Sequence, residues 1–223
     1  MTKIMPVTEQ CAVCGARSER WALLSTNTLG GPPDLDGRPA PMARDTMYSW
    51  VSECPECGYA SARVSDPPGA VTREWLESDE YRSLGGMVFG GDGRPVQLAE
   101  RFYRRHLCCL KNGDAEGAFY AALCAAWSCD NGKDMEEDAR ACRKEALRIL
   151  KNVQAETDAD KERFLLVKAD LLRRAGMFDE LTAEYGTLRT GRPDIDDVIA
   201  FQLQKAKEKD TDCYVRVTFE RRR

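Results

Sequence analysis

The chain has 223 residues, of which 43% are hydrophobic, and this composition is typical of a globular protein with one large core or two modest ones. Its formal charge of −4 is evenly spread, because residues 1–70 carry 6 basic and 8 acidic side chains and the remainder carries 27 and 29. Neither part is a basic lobe, so nucleic acid is an unexpected partner. The first residues lack an apolar secretory core, and no later window holds about eighteen uncharged apolar residues, so we expect a cytoplasmic protein without a membrane span.

Residues 9–66 consist of short strand-like runs separated by turn residues. Strands are predicted at residues 21–24, 48–52 and 60–64. Between the first two, residues 29–45 are rich in proline and glycine and predict a long loop. The loop also contains Asp34, Asp36 and Asp45, but they lack the ligand order of a calcium-binding loop.

From residue 71 onward the sequence is mainly helical. Residues 71–83 predict one helix with Thr72 as its N-cap, and a glycine-rich connection follows. Apolar residues at helical spacing then predict six helices, near residues 97–111, 116–129, 135–153, 160–175, 178–188 and 194–207. Short turns with glycine connect them, and residues 171–185 have the glycine turn and trailing aromatic residue of a tetratricopeptide (TPR) helix pair. We therefore expect a TPR-like antiparallel array.

Residues 214–219 alternate between polar and apolar side chains and predict a short C-terminal strand. Because a lone strand cannot satisfy its backbone groups, we expect it to pair with the sheet around the cysteine pairs. The predicted fold class is α+β, mainly α. Four segments are expected: a zinc-ribbon domain at 1–70 with its loop at 29–45, a helix and glycine-rich linker at 71–96, a TPR-like helical domain at 97–210, and a strand with a basic tail at 211–223.

Two cysteine pairs share the form C-x-x-C-G: Cys11/Cys14 and Cys54/Cys57. Two intervening residues let a tight turn direct both sulfurs to one point, and the glycine permits the positive φ that turns backbone N–H groups toward the thiolates. Together the pairs predict a tetrahedral site of four thiolates, which favours zinc, with iron as the alternative metal. Four thiolates leave no open coordination position, so the metal is expected to be structural. A redox pair or unrelated surface thiols are the other interpretation.

The two cysteine knuckles, the long loop, the stretch YSWVSECPECGYA at residues 48–60 and the helical region after it resemble a known family. It is the group of uncharacterised bacterial proteins called domain of unknown function 2225. The resemblance covers roughly residues 11–203 and implies a zinc ribbon fused to TPR-like helices. It implies no established activity.

The six other cysteines are scattered, and a chain of this size without an export signal is expected to keep them as free thiols. Cys108 falls on the polar arc of its predicted helix between Arg104 and Lys111, so it is the candidate for a reactive thiol outside the ribbon. A solvated or interface cysteine is the alternative. His106, the only histidine, lies on the apolar arc and is interpreted as a packed side chain, not a catalytic one.

Three functions remain open from the sequence. The first is a protein-interaction or scaffold module that binds an unknown protein or peptide and uses zinc to fix its ribbon. The second is a nucleic-acid-associated ribbon, whose binding face would consist of Trp21, Tyr48, Trp50 and Tyr59 with Arg17, Arg20 and Arg63. The third is an enzyme with a site between ribbon and helices, although no catalytic residues are identified.

Overall fold

The computed structural model describes residues 2–215, and over this range the chain is α+β, as predicted. The strands are β1 (Lys3–Gln10), β2 (Arg17–Ser25), β3 (Ser52–Glu53) and β4 (Ala60–Ser61). The helices are α1 (Pro41–Arg44), α2 (Arg73–Leu76), α3 (Asp79–Arg82), α4 (Gly93–Lys111), α5 (Ala115–Cys129), α6 (Glu136–Leu150), α7 (Asp158–Arg174), α8 (Phe178–Tyr185) and α9 (Pro193–Lys207). Short 3₁₀ helices occur at Met47–Ser49 and Leu84–Gly86.

The chain divides into two compact units. Of the described residues, the first unit contains those up to Asn27 together with Asp45–Asn152. The second contains Thr28–Arg44 and the residues from Val153 onward. The long loop therefore belongs with the C-terminal helices, whereas the cysteine pairs belong with α2 to α6.

In the first unit, β1 and β2 form an antiparallel hairpin, with Ile4 opposite Leu23 and Pro6 opposite Trp21. Residues paired in this way lie on the same face of a hairpin. On this face Ile4 is 42% and Trp21 54% exposed, so an apolar surface faces solvent. Part of β2 was predicted from the sequence, whereas β1 was not.

The first unit also contains three long helices, of which α4 and α6 pack against the central α5. Because small residues such as Ala118, Ala122 and Ala126 are fully buried along α5, its neighbours α4 and α6 can approach closely. His106 of α4 is completely buried, and its Nδ1 lies 2.8 Å from the Ala118 carbonyl oxygen while Nε2 lies 3.0 Å from Glu145 of α6. The histidine thus joins three helices, which agrees with its interpretation as a packed side chain.

In the second unit the proline- and glycine-rich loop is held by buried ion pairs. Asp34 and Asp36 are 3% and 1% exposed, and they bind Arg44 at 2.8 Å and Arg174 of α7 at 2.9 Å. A calcium site was not expected here, and these arginine contacts account for the burial of the two carboxylates. The part of the loop around these two carboxylates is therefore fixed by ion pairs to Arg44 and Arg174.

A second buried polar cluster lies between α7 and α9. Arg173, which is fully buried, donates to Asp170 at 2.9 Å, to the side-chain oxygen of Gln202 at 2.5 Å and to the backbone oxygen of Asp210 at 2.9 Å. Gln202 completes the cluster by donating to Asp170 at 2.9 Å. Every member named here has a partner, as a buried polar group requires.

Two expected glycine turns share one hydrogen-bond pattern. The N–H groups of Gly113 and Asp114 donate to carbonyls three and five residues earlier, and those of Gly176 and Met177 do the same. Both glycines have positive φ, 71° and 75°, which a Schellman helix end requires. The local similarity of the turns is therefore real, whereas a TPR array stays a prediction.

Four predicted elements differ in the structure, and one of them is the strand at 60–64, of which only Ala60 and Ser61 form a strand. Residues 71–83 form two short helices instead of one, because Ser78 caps a new helix by accepting from the Tyr81 N–H. Residues 47–49 form a 3₁₀ turn, so the predicted strand at 48–52 is reduced to the two residues of β3. The described start of the C-terminal strand pairs at Val215 with Asp34 of the loop and not with the ribbon. Residues 216–219 of that strand lie outside the described range.

Candidate metal centre

The four predicted cysteines converge. Their Sγ atoms all lie within 4.8 Å of one another, with Cys11 to Cys57 at 3.7 Å and Cys14 to Cys54 at 3.6 Å. A tetrahedron with metal–sulfur bonds of about 2.3 Å has sulfur–sulfur edges of about 3.8 Å. The cluster therefore could hold one metal ion. The separations are too long for disulfide bonds, and all four cysteines are free thiols.

Each pair lies in a turn between two strands, and the two turns have the same backbone geometry. In the first, the Gly15 N–H donates to the Cys11 carbonyl at 2.9 Å, and Gly15 has a φ of 76°. In the second, the Gly58 N–H donates to the Cys54 carbonyl at 2.9 Å, and Gly58 has a φ of 75°. This left-handed conformation is why both pairs are followed by glycine.

Backbone N–H groups stabilise negative charge on the sulfurs. Cys54 receives hydrogen bonds from the N–H groups of Glu56 and Cys57, and Cys14 receives one from Ala16. Burial raises the pKa of Cys54 and Cys57. Burial also acts to raise the pKa of Cys14, but the Ala16 N–H and the neighbouring sulfurs lower it overall. The donor set is that of a thiolate-binding knuckle.

The second knuckle is supported from outside by α3 and α4. The hydroxyl of Tyr81, whose side chain is almost fully buried, donates to the Gly58 carbonyl at 2.5 Å. Cys108 of α4 lies 3.7 Å from the same hydroxyl and accepts a hydrogen bond from the Ala60 N–H. These contacts fix the turn that carries Cys57, and the sequence showed none of them because the residues are far apart in the chain.

The prediction that Cys108 is a reactive thiol is wrong, because a reactive thiol needs both exposure and a lowered pKa. Its side chain is 3% exposed, and burial raises its pKa. The helical wheel placed it on a polar arc, but that side of α4 packs on the ribbon, where Arg104 lies 3.5 Å from Glu53. Cys108 is therefore a packed thiol of the knuckle's support.

The face expected to bind nucleic acid is not assembled as predicted. Tyr59 is 2% exposed, Arg20 pairs with Glu9 at 2.6 Å, and Arg63 pairs with Asp66 at 2.9 Å. Trp21 and Tyr48 are exposed, and both line a cavity of about 310 Å³ in the first unit. The aromatic residues thus fall into two environments, and two of the three arginines are already neutralised.

Comparison with protein-family models, with curated proteins and with solved structures finds no match for this chain. The resemblance to domain of unknown function 2225 therefore stays a prediction. Among residues 2–215, none of the helices combines the length and the apolar character needed to cross a bilayer.

Proposed function

We propose that the protein is a cytoplasmic protein-interaction module of the uncharacterised bacterial zinc-ribbon type, in which one structural zinc ion fixes the ribbon. The observation that carries the proposal is the convergence of four thiols, from two separate turns, at tetrahedral spacing. A donor set of four sulfurs suits zinc and leaves no coordination position for substrate. The metal then acts through the surface that it holds in place.

The surface with the clearest binding character is the hairpin face formed by Ile4, Pro6, Trp21 and Leu23, on which Ile4 and Trp21 are 42% and 54% exposed. Contiguous exposed apolar side chains on a soluble protein are typical of an interaction site. Lys3 and Glu19 flank the face with opposite charges, which favours a mixed peptide surface over a polyanion. We therefore take a protein segment with exposed apolar side chains as the partner of this face.

The metal is tested by elemental analysis of protein purified without added metal. About one zinc per chain is expected, because one tetrahedral site needs all four cysteines. Cys57→Ser should abolish it, whereas Cys213→Ser, which changes an exposed thiol of the second unit, should leave the zinc content unchanged. Less than about a tenth of a zinc per chain, with four titratable thiols at these positions, would contradict the site.

The interaction is tested by affinity purification from the native host with the wild type and two variants. Ile4→Ser changes the hairpin face, and Leu29→Ser changes a residue of the second unit that is 66% exposed. A partner that co-purifies with the wild type and with Leu29→Ser, but is depleted at least about tenfold with Ile4→Ser, supports the proposal. Equal recovery with both variants, or no enriched protein, would refute it.

A further inference from the structure

A cavity of about 310 Å³ adjoins the hairpin face and lies entirely within the first unit. One wall is formed by residues 18–21 of β2, and the other by Tyr48, residues 51–53 and Arg101 of α4. Trp21 belongs both to this lining and to the hairpin face, so a segment that contacts the face at Trp21 also reaches the cavity. The volume is at the lower end of the range found for ligand sites, which is enough for one side chain of a partner.

The lining carries one carboxylate whose charge is not compensated. Arg20 binds Glu9 at 2.6 Å, and Arg101 lies 3.9 Å from Glu53, so each arginine of the lining has an acidic neighbour. Glu19, by contrast, is exposed, and in the described part of the chain its side chain has neither an ion pair nor a hydrogen bond. The remaining charge at the cavity is therefore negative, which favours a cation over an anion as its ligand.

Two aromatic rings of the lining present open faces to a ligand. Trp21 and Tyr48 are 54% and 41% exposed. Among the residues that the structure describes, neither ring packs on another aromatic ring or has a cation over its face. An open ring face attracts a cation, and a planar guanidinium can also stack on it.

Glu19 and Trp21 are placed so that one cation can contact both. They lie two residues apart on β2, on the same face of the strand and about 7 Å apart along it. A cation over an aromatic ring lies within about 6 Å of the ring centre, so a guanidinium between the two side chains can pair with the carboxylate and cover the ring. A neutral apolar ligand would use the rings but leave the carboxylate uncompensated.

We propose that this cavity accepts an arginine side chain from the protein segment that binds the hairpin face. Glu19 pairs with the guanidinium, and Trp21 and Tyr48 contact its flat surfaces. The inference rests on the proposed function and deepens it, because it assigns to the partner a basic residue beside the apolar residues that the hairpin face binds. Ile4, which tests that face, does not line the cavity.

The test is a titration of the folded protein, followed by amide NMR, with the blocked tripeptide N-acetyl-Leu-Arg-Leu-amide and with the same peptide containing citrulline in place of arginine. Citrulline keeps the size and the planar end of the side chain but has no charge. The arginine peptide should shift the resonances of residues 18–21 and of Tyr48. It should bind about tenfold more tightly than the citrulline peptide, because an exposed ion pair and a cation–π contact each add a modest free energy. Equal affinity of the two peptides would overturn the proposal.

Variants locate the binding through the ratio of the two affinities, which a loss of folded protein changes little because it affects both peptides. Glu19→Gln should lower the preference for arginine about threefold, because it removes the ion pair. Tyr48→Leu keeps an apolar side chain but removes the ring, and it should lower the preference about twofold. The control is Glu136→Gln, which changes an exposed glutamate of α6 in the same unit that does not line the cavity, and it should keep the preference of the wild type. If Glu19→Gln keeps the full preference, or Glu136→Gln loses it, the proposal fails.

The same titrations separate this inference from the proposed function. A lysine peptide should bind with an affinity between those of the arginine and citrulline peptides, because the ammonium group keeps the charge without the planar fork, and tighter binding of lysine than of arginine would contradict the assignment. If the arginine and citrulline peptides bind equally and shift the resonances of Ile4 and Leu23, the hairpin face binds apolar segments and only the arginine assignment fails. If neither peptide shifts any resonance of the cavity lining, the assignment also fails, and the affinity purification decides the proposed function independently.

Discussion

Tyr81→Phe removes a single oxygen atom from the support of the second knuckle. The hydroxyl donates to the Gly58 carbonyl at 2.5 Å and is 3.7 Å from the Cys108 sulfur. Burial raises the pKa of Tyr81, so the hydroxyl stays protonated and remains a donor. The ring itself is 2% exposed and is retained in the variant, so no apolar contact is lost.

The expected cost follows from these contacts. The change leaves the Gly58 carbonyl without this donor in a buried position, and an unsatisfied buried group costs about 1–3 kcal/mol. The thiol of Cys108 is a weak donor and adds little. We therefore expect the free energy of unfolding to fall by about 2 kcal/mol, which corresponds to a factor of up to about 30 in the equilibrium for opening the knuckle.

Two assays separate the local effect from general destabilisation. Urea unfolding gives the change in free energy, and the rate of metal transfer to a chelator reports on the knuckle. The matched control is Tyr185→Phe, because that hydroxyl also donates to a backbone carbonyl, Leu165 at 2.9 Å, from a fully buried ring in the second unit. Both variants should lose similar stability, but only Tyr81→Phe should accelerate metal loss. Equal rates of metal loss would refute the assigned role of Tyr81.

Three further predictions concern charge and thiol chemistry. Although burial alone would raise it, hydrogen bonds from Arg148 and His106 lower the pKa of Glu145 from 4.5 to about 2, so its stabilising contribution is present above about pH 4.5 and is lost as the pH falls toward 2. Glu145→Gln should remove about 2 kcal/mol of this acid dependence between pH 5 and pH 3, measured as the difference between the two unfolding curves over that range, and identical slopes would contradict it. Arg173→Met leaves Asp170 buried without its cation and should lower the free energy of unfolding by about 3–5 kcal/mol, measured by thermal or urea unfolding. An unchanged free energy of unfolding would show that the cluster contributes nothing to stability. Burial raises the pKa of both Cys213 and Cys108, but Cys213 is exposed and Cys108 is buried, so a thiol reagent should modify Cys213 well before Cys108, as followed by mass spectrometry of the folded protein. The reverse order would show that the burial of Cys108 is wrong.

The long helices could be predicted from the sequence because apolar residues recur at helical spacing along each of them. In α6, the buried residues Ala139, Cys142, Ala146 and Ile149 follow the helical spacing over the whole element. The cysteine cluster was predictable for a related reason, since spacing and glycine within five residues determine each turn. Convergence of the two turns then follows from the chemistry of a shared metal.

Short elements and long-range contacts carried no such signal. The helix is interrupted near Ser78 because one side-chain cap stabilises the start of a new helix there. The free energy that favours the interruption over a continuous helix is small. The loop at 29–45 was interpreted as part of the ribbon domain, yet Asp36 pairs with Arg174, 138 residues away. A helical wheel could not show that Cys108 is buried either, because both sides of α4 are packed, one against α5 and the other against β4.

The two knuckles also explain how the metal and the cavity are connected. The first knuckle precedes β2, which forms one wall of the cavity, and the second follows β3, which forms the other. Between them, the Ala12 N–H donates to the Val64 carbonyl at 2.9 Å, and Cys14 lies 3.6 Å from Cys54. Without a metal, four closely spaced thiols supply weak hydrogen bonds, whereas four metal–thiolate bonds supply a large part of the folding free energy of such small sheets. A metal ion bound by the four thiols would therefore hold β2 and β3, and with them the walls of the cavity, at fixed positions.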